Sequence, residues 1–190
     1  HLLVACPKVD GLVNNLGIYS ASDFETTPDA EWLRFFETNV LSGVRLARHY
    51  LPQMKAQNWG RIVFVSSESA LNAPAEMVHY GMTKAAQLSV ARGLAQTTAG
   101  SGVTVNSVLP GPTRSEGVGT FFAELAAAQG VSLAEAEQAF FAHARPTSLL
   151  KRFIEPAEVA ALVAYVCSPR SAATNGAALR VDGGIVNSMA

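Results

Sequence analysis

Three side chains have types and spacing that can do chemistry. Tyr80 and Lys84 stand four residues apart, and Ser67 precedes Tyr80 by thirteen. On a helix, positions i and i+4 share a face, so the phenol and the ammonium become neighbours. An ammonium beside a phenol favours phenolate and lowers its pKa from about 10 towards neutrality. A hydroxyl from Ser67 then bonds both the phenol and a substrate oxygen. The set makes a proton donor over a carbonyl, or an acceptor over an alcohol. Tyr-x-x-x-Lys taken alone fits a surface pair on an amphipathic helix equally well. A Ser at a strand end, at this separation, is what strengthens the signal.

The elements that position these residues are legible in outline. Residues 61–66, Arg-Ile-Val-Phe-Val-Ser, read as a buried strand that delivers Ser67. A helix near His79 carries Tyr80 and Lys84 to about Thr98, with Leu88, Ala91 and Ala95 inward. Gly11-Leu12-Val13 and residues 103–109 read as further strands, the latter stopped by Pro110. A last strand spans residues 178–181. Thr27 with Pro28 is read as the cap and first turn of a helix whose apolar stripe runs through Trp32, Phe35, Phe36, Val40, Val44, Ala47, Leu51 and Met54. Asn39 lies on that stripe, where a core Asn bonded to backbone is the plainer reading. Ser42-Gly43 and Pro52 are candidate bends. Pro156 opens a final helix. Strands alternating with helices predict an α/β fold, a Rossmann-like doubly wound parallel sheet with right-handed crossovers. Ligands bind such sheets at the carboxyl ends of the strands. Gly17, Ser67, Pro110 and Asp182 all follow strand ends and should meet at one rim.

Composition narrows the function classes. The 190 residues, 49% hydrophobic and 15% charged, suit one globular domain over 1–190. A net charge of −1 without a Lys/Arg cluster argues against nucleic acid or an acidic membrane as partner. Cys6 and Cys167 are isolated and read as buried free thiols in a reducing, cytoplasmic compartment. His1, His49, His79 and His143 have no ligand spacing, so no metal is expected. The longest apolar run, residues 159–167, is too short to span a bilayer.

Further motifs fall in one order along the chain. Asn14-Asn15-Leu16-Gly17 is similar to an Asn-Asn-Ala-Gly turn. Asn39, Pro110-Gly111-Pro112-Thr113 and Val181-Asp182-Gly183-Gly184 complete the series. Together with Ser67, Tyr80 and Lys84 the chain resembles the short-chain dehydrogenase/reductase family. That resemblance implies hydride transfer between NAD or NADP and a carbonyl or secondary alcohol, with a small-molecule substrate. It implies Tyr80 as acid/base, Lys84 tuning Tyr80 and bonding the nicotinamide ribose, Ser67 holding the substrate oxygen, and Asn39 supporting a proton relay through water. Tyr80 and Lys84 would also contact the cofactor. Asn15 and Gly17 would line its cleft; Pro110, Gly111 and Thr113 would flank the nicotinamide, with the Thr113 hydroxyl available to it. Pro110-Gly111 read without the family is a strand-ending turn. Asp182-Gly183-Gly184 reads as structural. Leu16, bulkier than Ala, is expected to narrow the cleft. A homodimer or homotetramer through helices 32–54 and 80–98 is also expected.

Two features qualify the resemblance. No glycine-rich phosphate loop precedes residue 11, so the first strand–helix units are absent from this chain, and ~60–75 further residues are expected before His1. The alternative is a truncated, non-catalytic homologue that binds a partner. An enoyl reductase of the same superfamily would resemble a wider Tyr-to-Lys spacing. Residues 114–152 form an insertion far longer than an ordinary connection. It is expected to hold two short helices about Gly130, the second opened by a capping box at Ser132. Phe121, Phe122, Phe140 and Phe141 there are expected to face the sheet, the substrate or simply a core. The segment is expected to act as a mobile lid, hinged at Gly117 and Gly119, that favours substrates with an apolar portion.

Overall fold

A computed structural model describes residues 2–189; His1, weighed above as a ligand, lies outside them. Four parallel strands, β1 (Gly11–Asn14), β2 (Gly60–Val65), β3 (Val103–Pro110) and β4 (Ala178–Val181), pair in the order β1-β2-β3-β4. The register sets Leu12 beside Ile62 and Ile62 beside Val105. Alternation along each strand sends these side chains to one face of the sheet and Val63 and Val108 to the other.

Helices cover both faces. On the first lie α3 (Ser42–Ala56) and α4 (Val78–Gln96), burying Tyr50, Met54, Ala91 and Ala95 against Leu12, Ile62, Phe64, Val103 and Val105. On the second lies α7 (Pro156–Cys167), whose Val166 meets Val63 and Val108. All three connections step the same way across the sheet, yet the last passes over the opposite face. Its hand is therefore opposite to that of the first two, against the expectation of uniform right-handed crossovers. The bias arises when a strand feeds a helix directly. Here α5 (Glu116–Gln129) and α6 (Leu133–His143) intervene, and the longer path frees the chain to return on the other side.

The helix through Asn39 is not uniform. Helix α2 (Asp29–Phe36) leads into a π-helical turn, Glu37–Leu41, before α3. The extra residue of a π turn lets both Asn39 and Val40 point inward. Gly43 follows because the helix touches the sheet: a Cβ there would stand 2.7 Å from the Phe64 ring and 3.2 Å from Asn14. Pro52 sits within α3. Two local expectations change. Pro28, not Thr27, occupies the N-cap, and no side chain caps α2; the Thr27 hydroxyl bonds the Asp23 carbonyl instead. Cys6, after a single helical turn α1 (Leu2–Ala5), is exposed because it precedes β1 and joins no core cluster among the described residues; Cys167, at the end of α7, is half-buried at the edge of the Val63, Val108 and Val166 cluster.

Candidate active site

Parallel pairing aligns the strand ends, so Asn15, Gly17, Ser66, Ser67, Gly111 and Asp182 gather on one rim. Ser66 anchors α4 to it: its hydroxyl donates to the Lys84 carbonyl at 2.8 Å. The Ser67 hydroxyl accepts from the Ser69 N–H at 3.1 Å, which fixes its position at the end of β2. Tyr80 and Lys84 share a face of α4, with the ammonium 5.5 Å from the centre of the Tyr80 ring. Lys84 Nζ donates to the Val65 carbonyl at 3.0 Å.

The electrostatics reverse one expectation. The Tyr80 phenol is pushed up to about 12, chiefly because burial disfavours phenolate. The Ser67 hydroxyl beside it pulls the other way, while the Glu68 charge and Tyr19 add to the rise. Lys84 does not offset this, because burial also disfavours its own charge and lowers it to about 8.

Asn39 is buried and fully engaged. Its Oδ1 accepts from Ile18 N–H at 2.8 Å, and its Nδ2 donates to the Ile18 carbonyl and the Thr83 hydroxyl, both at 3.0 Å. Its own carbonyl accepts from Gln87 Nε2 at 2.5 Å. The side chain thus clamps the loop after β1 to α4. Gly17 lies between the parts: a Cβ there would sit 3.5 Å from Asn39 Oδ1 and 3.6 Å from Lys84 Nζ. Its missing side chain keeps a small polar space open between amide and ammonium.

On the far side of the rim, a cleft of about 400 Å³ is lined by Val13, Asn15, Val65, Pro110, Thr113 and Val159, among others. Its mainly apolar walls and open Asn15 edge suit a flat aromatic ring. Gly111 is required by close approach, since a Cβ would fall 2.5 Å from the Asp182 carbonyl oxygen. The Asp182 carboxylate accepts from Gly184 and Val186 N–H, the structural part expected of it. The Thr113 hydroxyl donates to the Gly111 carbonyl at 2.9 Å, so its proton is already committed. Leu16, expected to narrow the cleft, is 64% exposed and is not among the residues that line it.

The 114–152 segment is braced at its base. Thr113 pairs with Ile154 as an isolated bridge, and Arg114 bonds Glu137 on α6 and Glu155 ahead of α7. Phe122, Phe140 and Phe141 pack on one another and on Phe153, with ring centres 5.0–5.4 Å apart. They form a core of their own; Phe121, 58% exposed, touches it only at the edge, its ring centre 5.4 Å from that of Phe122. Gly117 and Gly119, expected as hinges, fall in the first turn of α5, where the Gly119 N–H bonds the Ser115 carbonyl at 2.9 Å. Ser132 does form the capping box with Glu135. Sequence reasoning assigned nothing to Glu68 and Arg145, which meet beside Ser67. Adjacency to Ser67 was the only available signal for Glu68; Arg145 had none.

Residues 2–186 match the family model described as enoyl-(acyl carrier protein) reductase. The uncharacterized oxidoreductase YvaG of Bacillus subtilis (strain 168) is 48% identical over 189 residues, 100% of this chain and 72% of that protein. A solved structure described as a short chain dehydrogenase/reductase family protein is 32% identical, with TM-score 0.81 over 96% of this chain and 69% of that one. The chain belongs to the short-chain dehydrogenase/reductase family. The L-sorbose reductase of Gluconobacter frateurii, solved with NADPH and L-sorbose, superposes with TM-score 0.91 at 28% identity, over 99% of this chain and 70% of that one. An NAD(P)-dependent oxidoreductase, expected from the motifs, follows from this membership of the short-chain dehydrogenase/reductases; nothing in these likenesses favours a non-catalytic homologue.

Proposed function

We propose that this site interconverts a carbonyl and a secondary alcohol, with Tyr80 as the acid/base. The observation that carries the reading is that Tyr80 stands between the Ser67 hydroxyl and the Lys84 ammonium, while the space left by Gly17 opens onto Lys84 and Asn39. When bound, reduced NAD or NADP supplies the hydride and its oxidised form accepts one. Asn15, Gly17, Pro110, Gly111 and Thr113 would hold its nicotinamide end, since the cleft lined by Asn15, Pro110 and Thr113 has the volume and apolar walls for a ring. Lys84 would hold the ribose. The Ser67 hydroxyl orients the substrate oxygen. Tyr80, protonated at neutral pH, gives its proton to that oxygen during reduction and recovers it during oxidation. Asn39 acts by holding the loop that keeps the space beside Lys84 open, where a water could pass a proton onward. The four-residue spacing of Tyr80 and Lys84 and the adjacent Ser67 favour carbonyl over enoyl reduction.

The reading extends to assembly and place. Ala85 is exposed on α4, and Ala160, Ala161, Ala164 and Tyr165 are exposed on α7, apolar surface suited to a homodimer or homotetramer. Light scattering at micromolar concentration checks this, and a monomer refutes it. Residues 114–152 would cover the substrate side of the rim. A cytoplasmic site of action suits the two unpaired cysteines; among the described residues no helix is long and apolar enough to cross a membrane. The deciding experiment follows oxidation of NADH and NADPH by a panel of ketones. Turnover that Tyr80→Phe leaves intact would overturn the acid/base role.

A further inference from the structure

A second cavity, of about 270 Å³, opens at Glu68, the residue after Ser67. It is lined by Glu68, Asn72, Glu76, Arg145, Thr147 and Ile185, among others. Glu68 follows Ser67 directly, and its side chain is only 8% exposed. Oε2 accepts from the Ser69 hydroxyl at 3.0 Å. Oε1 has no hydrogen bond among the described residues; the nearest cation, Arg145 Nε, stands 4.0 Å away. That is too far for a hydrogen bond. Arg145, after α6, donates Nη1 to the Ala144 carbonyl at 2.8 Å and reaches Glu76 at 3.4 Å. A buried carboxylate one residue along from Ser67 therefore keeps one oxygen without a hydrogen bond in this cavity, facing a guanidinium just out of hydrogen-bond reach.

Leaving a buried carboxylate oxygen without a hydrogen bond is costly, so this arrangement calls for a ligand that completes it. Each ligand class meets it differently. An apolar group would seal Glu68 in without a donor. A carboxylate would meet Glu68 and Glu76 with a guanidinium already shared between them. An ammonium would meet Arg145. A neutral hydroxyl suits both sides, because it donates to Glu68 Oε1 and accepts from Arg145 Nε. Resting on the carbonyl–alcohol reading above, we propose that Glu68 and Arg145 form the substrate-selecting subsite and that it takes a neutral carbonyl compound bearing a hydroxyl close to the reacting carbon. This replaces the apolar preference expected of the 114–152 segment, whose aromatic rings are spent on one another.

The test measures NADH- or NADPH-linked reduction of hydroxyacetone, butanone, pyruvate and aminoacetone, which differ mainly in the group beside the carbonyl. Hydroxyacetone should have the highest kcat/KM. Hydrogen bonds to charged groups are strong enough that Glu68→Gln should lower the hydroxyacetone-to-butanone ratio roughly ten- to a hundredfold, mostly through KM. Arg145→Gln, nearer the cavity mouth, should lower the same ratio and keeps the proposal open to refutation if Glu68→Gln does not fold. Saturation-transfer NMR with hydroxyacetone, read without turnover, should show contact in the wild type that weakens in both variants. A wild type that prefers butanone, pyruvate or aminoacetone overturns the proposal, as does a ratio unchanged in the folded variants. A wild type that reduces none of the four fails the carbonyl–alcohol reading itself and takes the subsite with it.

Discussion

The sheet rim and the 114–152 segment lie side by side and are built in different ways. At the rim, three of the four groups are held by hydrogen bonds to backbone, Ser67 from Ser69, Lys84 to Val65 and Asn39 to Ile18, and Tyr80 meets the Ser67 hydroxyl so held. In the segment, position comes from rings packed on rings and from Arg114 spanning Glu137 and Glu155. Backbone-directed bonds demand particular residue types at particular places, so the rim leaves a pattern in the sequence. Ring packing accepts many arrangements of large apolar residues, so the segment leaves little more than its aromatic content. The rim gathers the groups proposed to do chemistry, and the segment meets it at Glu68 through Arg145 and at the Gly183 carbonyl through the N–H groups of Leu149 and Leu150.

If the two regions are separable, their variants should fail separately. Tyr80→Phe should show the largest effect, a fall in turnover of about 10²–10⁴ with the fold intact. A matching loss of thermal stability would mean that the rim is structural as well as chemical. Phe153→Ala removes the ring on which Phe122, Phe140 and Phe141 all pack. It should cost about 3–5 kcal/mol. Hydrogen exchange should rise across residues 114–145 while β2 and β3 stay protected. Equal loss of protection in both would merge the two regions into one unit.

A smaller effect separates them by pH. Lys84 is held at about 8 in the fold and returns to an ordinary 10.5 on unfolding. Between those values the unfolded chain binds more protons, so the fold gains stability as pH rises from about 8. Tyr80, held at about 12 against an ordinary 10.0, opposes this above pH 10. Denaturant midpoints should therefore rise from pH 8 to 10 and fall beyond. In Lys84→Met the rise should vanish, and a rise that persists would place its origin elsewhere. The smallest effect belongs to the segment alone. Ser132→Ala removes the α6 cap and should cost about 1 kcal/mol, read as a lower denaturant midpoint with turnover unchanged.

The strands, their order along the chain, the rim and the Tyr80–Lys84 face of α4 were all legible in local patterns. The capping box at Ser132 was too, because its Ser and Glu bond within one turn. Thr27 misled, because a local hydroxyl bond to Asp23 outcompeted the cap. The phenol misled more instructively. Spacing puts an ammonium near Tyr80, but whether that ammonium keeps its charge depends on how deeply both are buried.

By itself, then, the sequence determined which groups share a helix face or follow a strand end, because those relations are set by chain periodicity over a few residues. Only the tertiary structure decided the face that α7 covers, the direction of the Tyr80 shift and the meeting of Glu68 with Arg145. Those depend on burial and on contacts between residues far apart in the chain, 77 positions in the last case, and no local pattern records what the folded chain brings together.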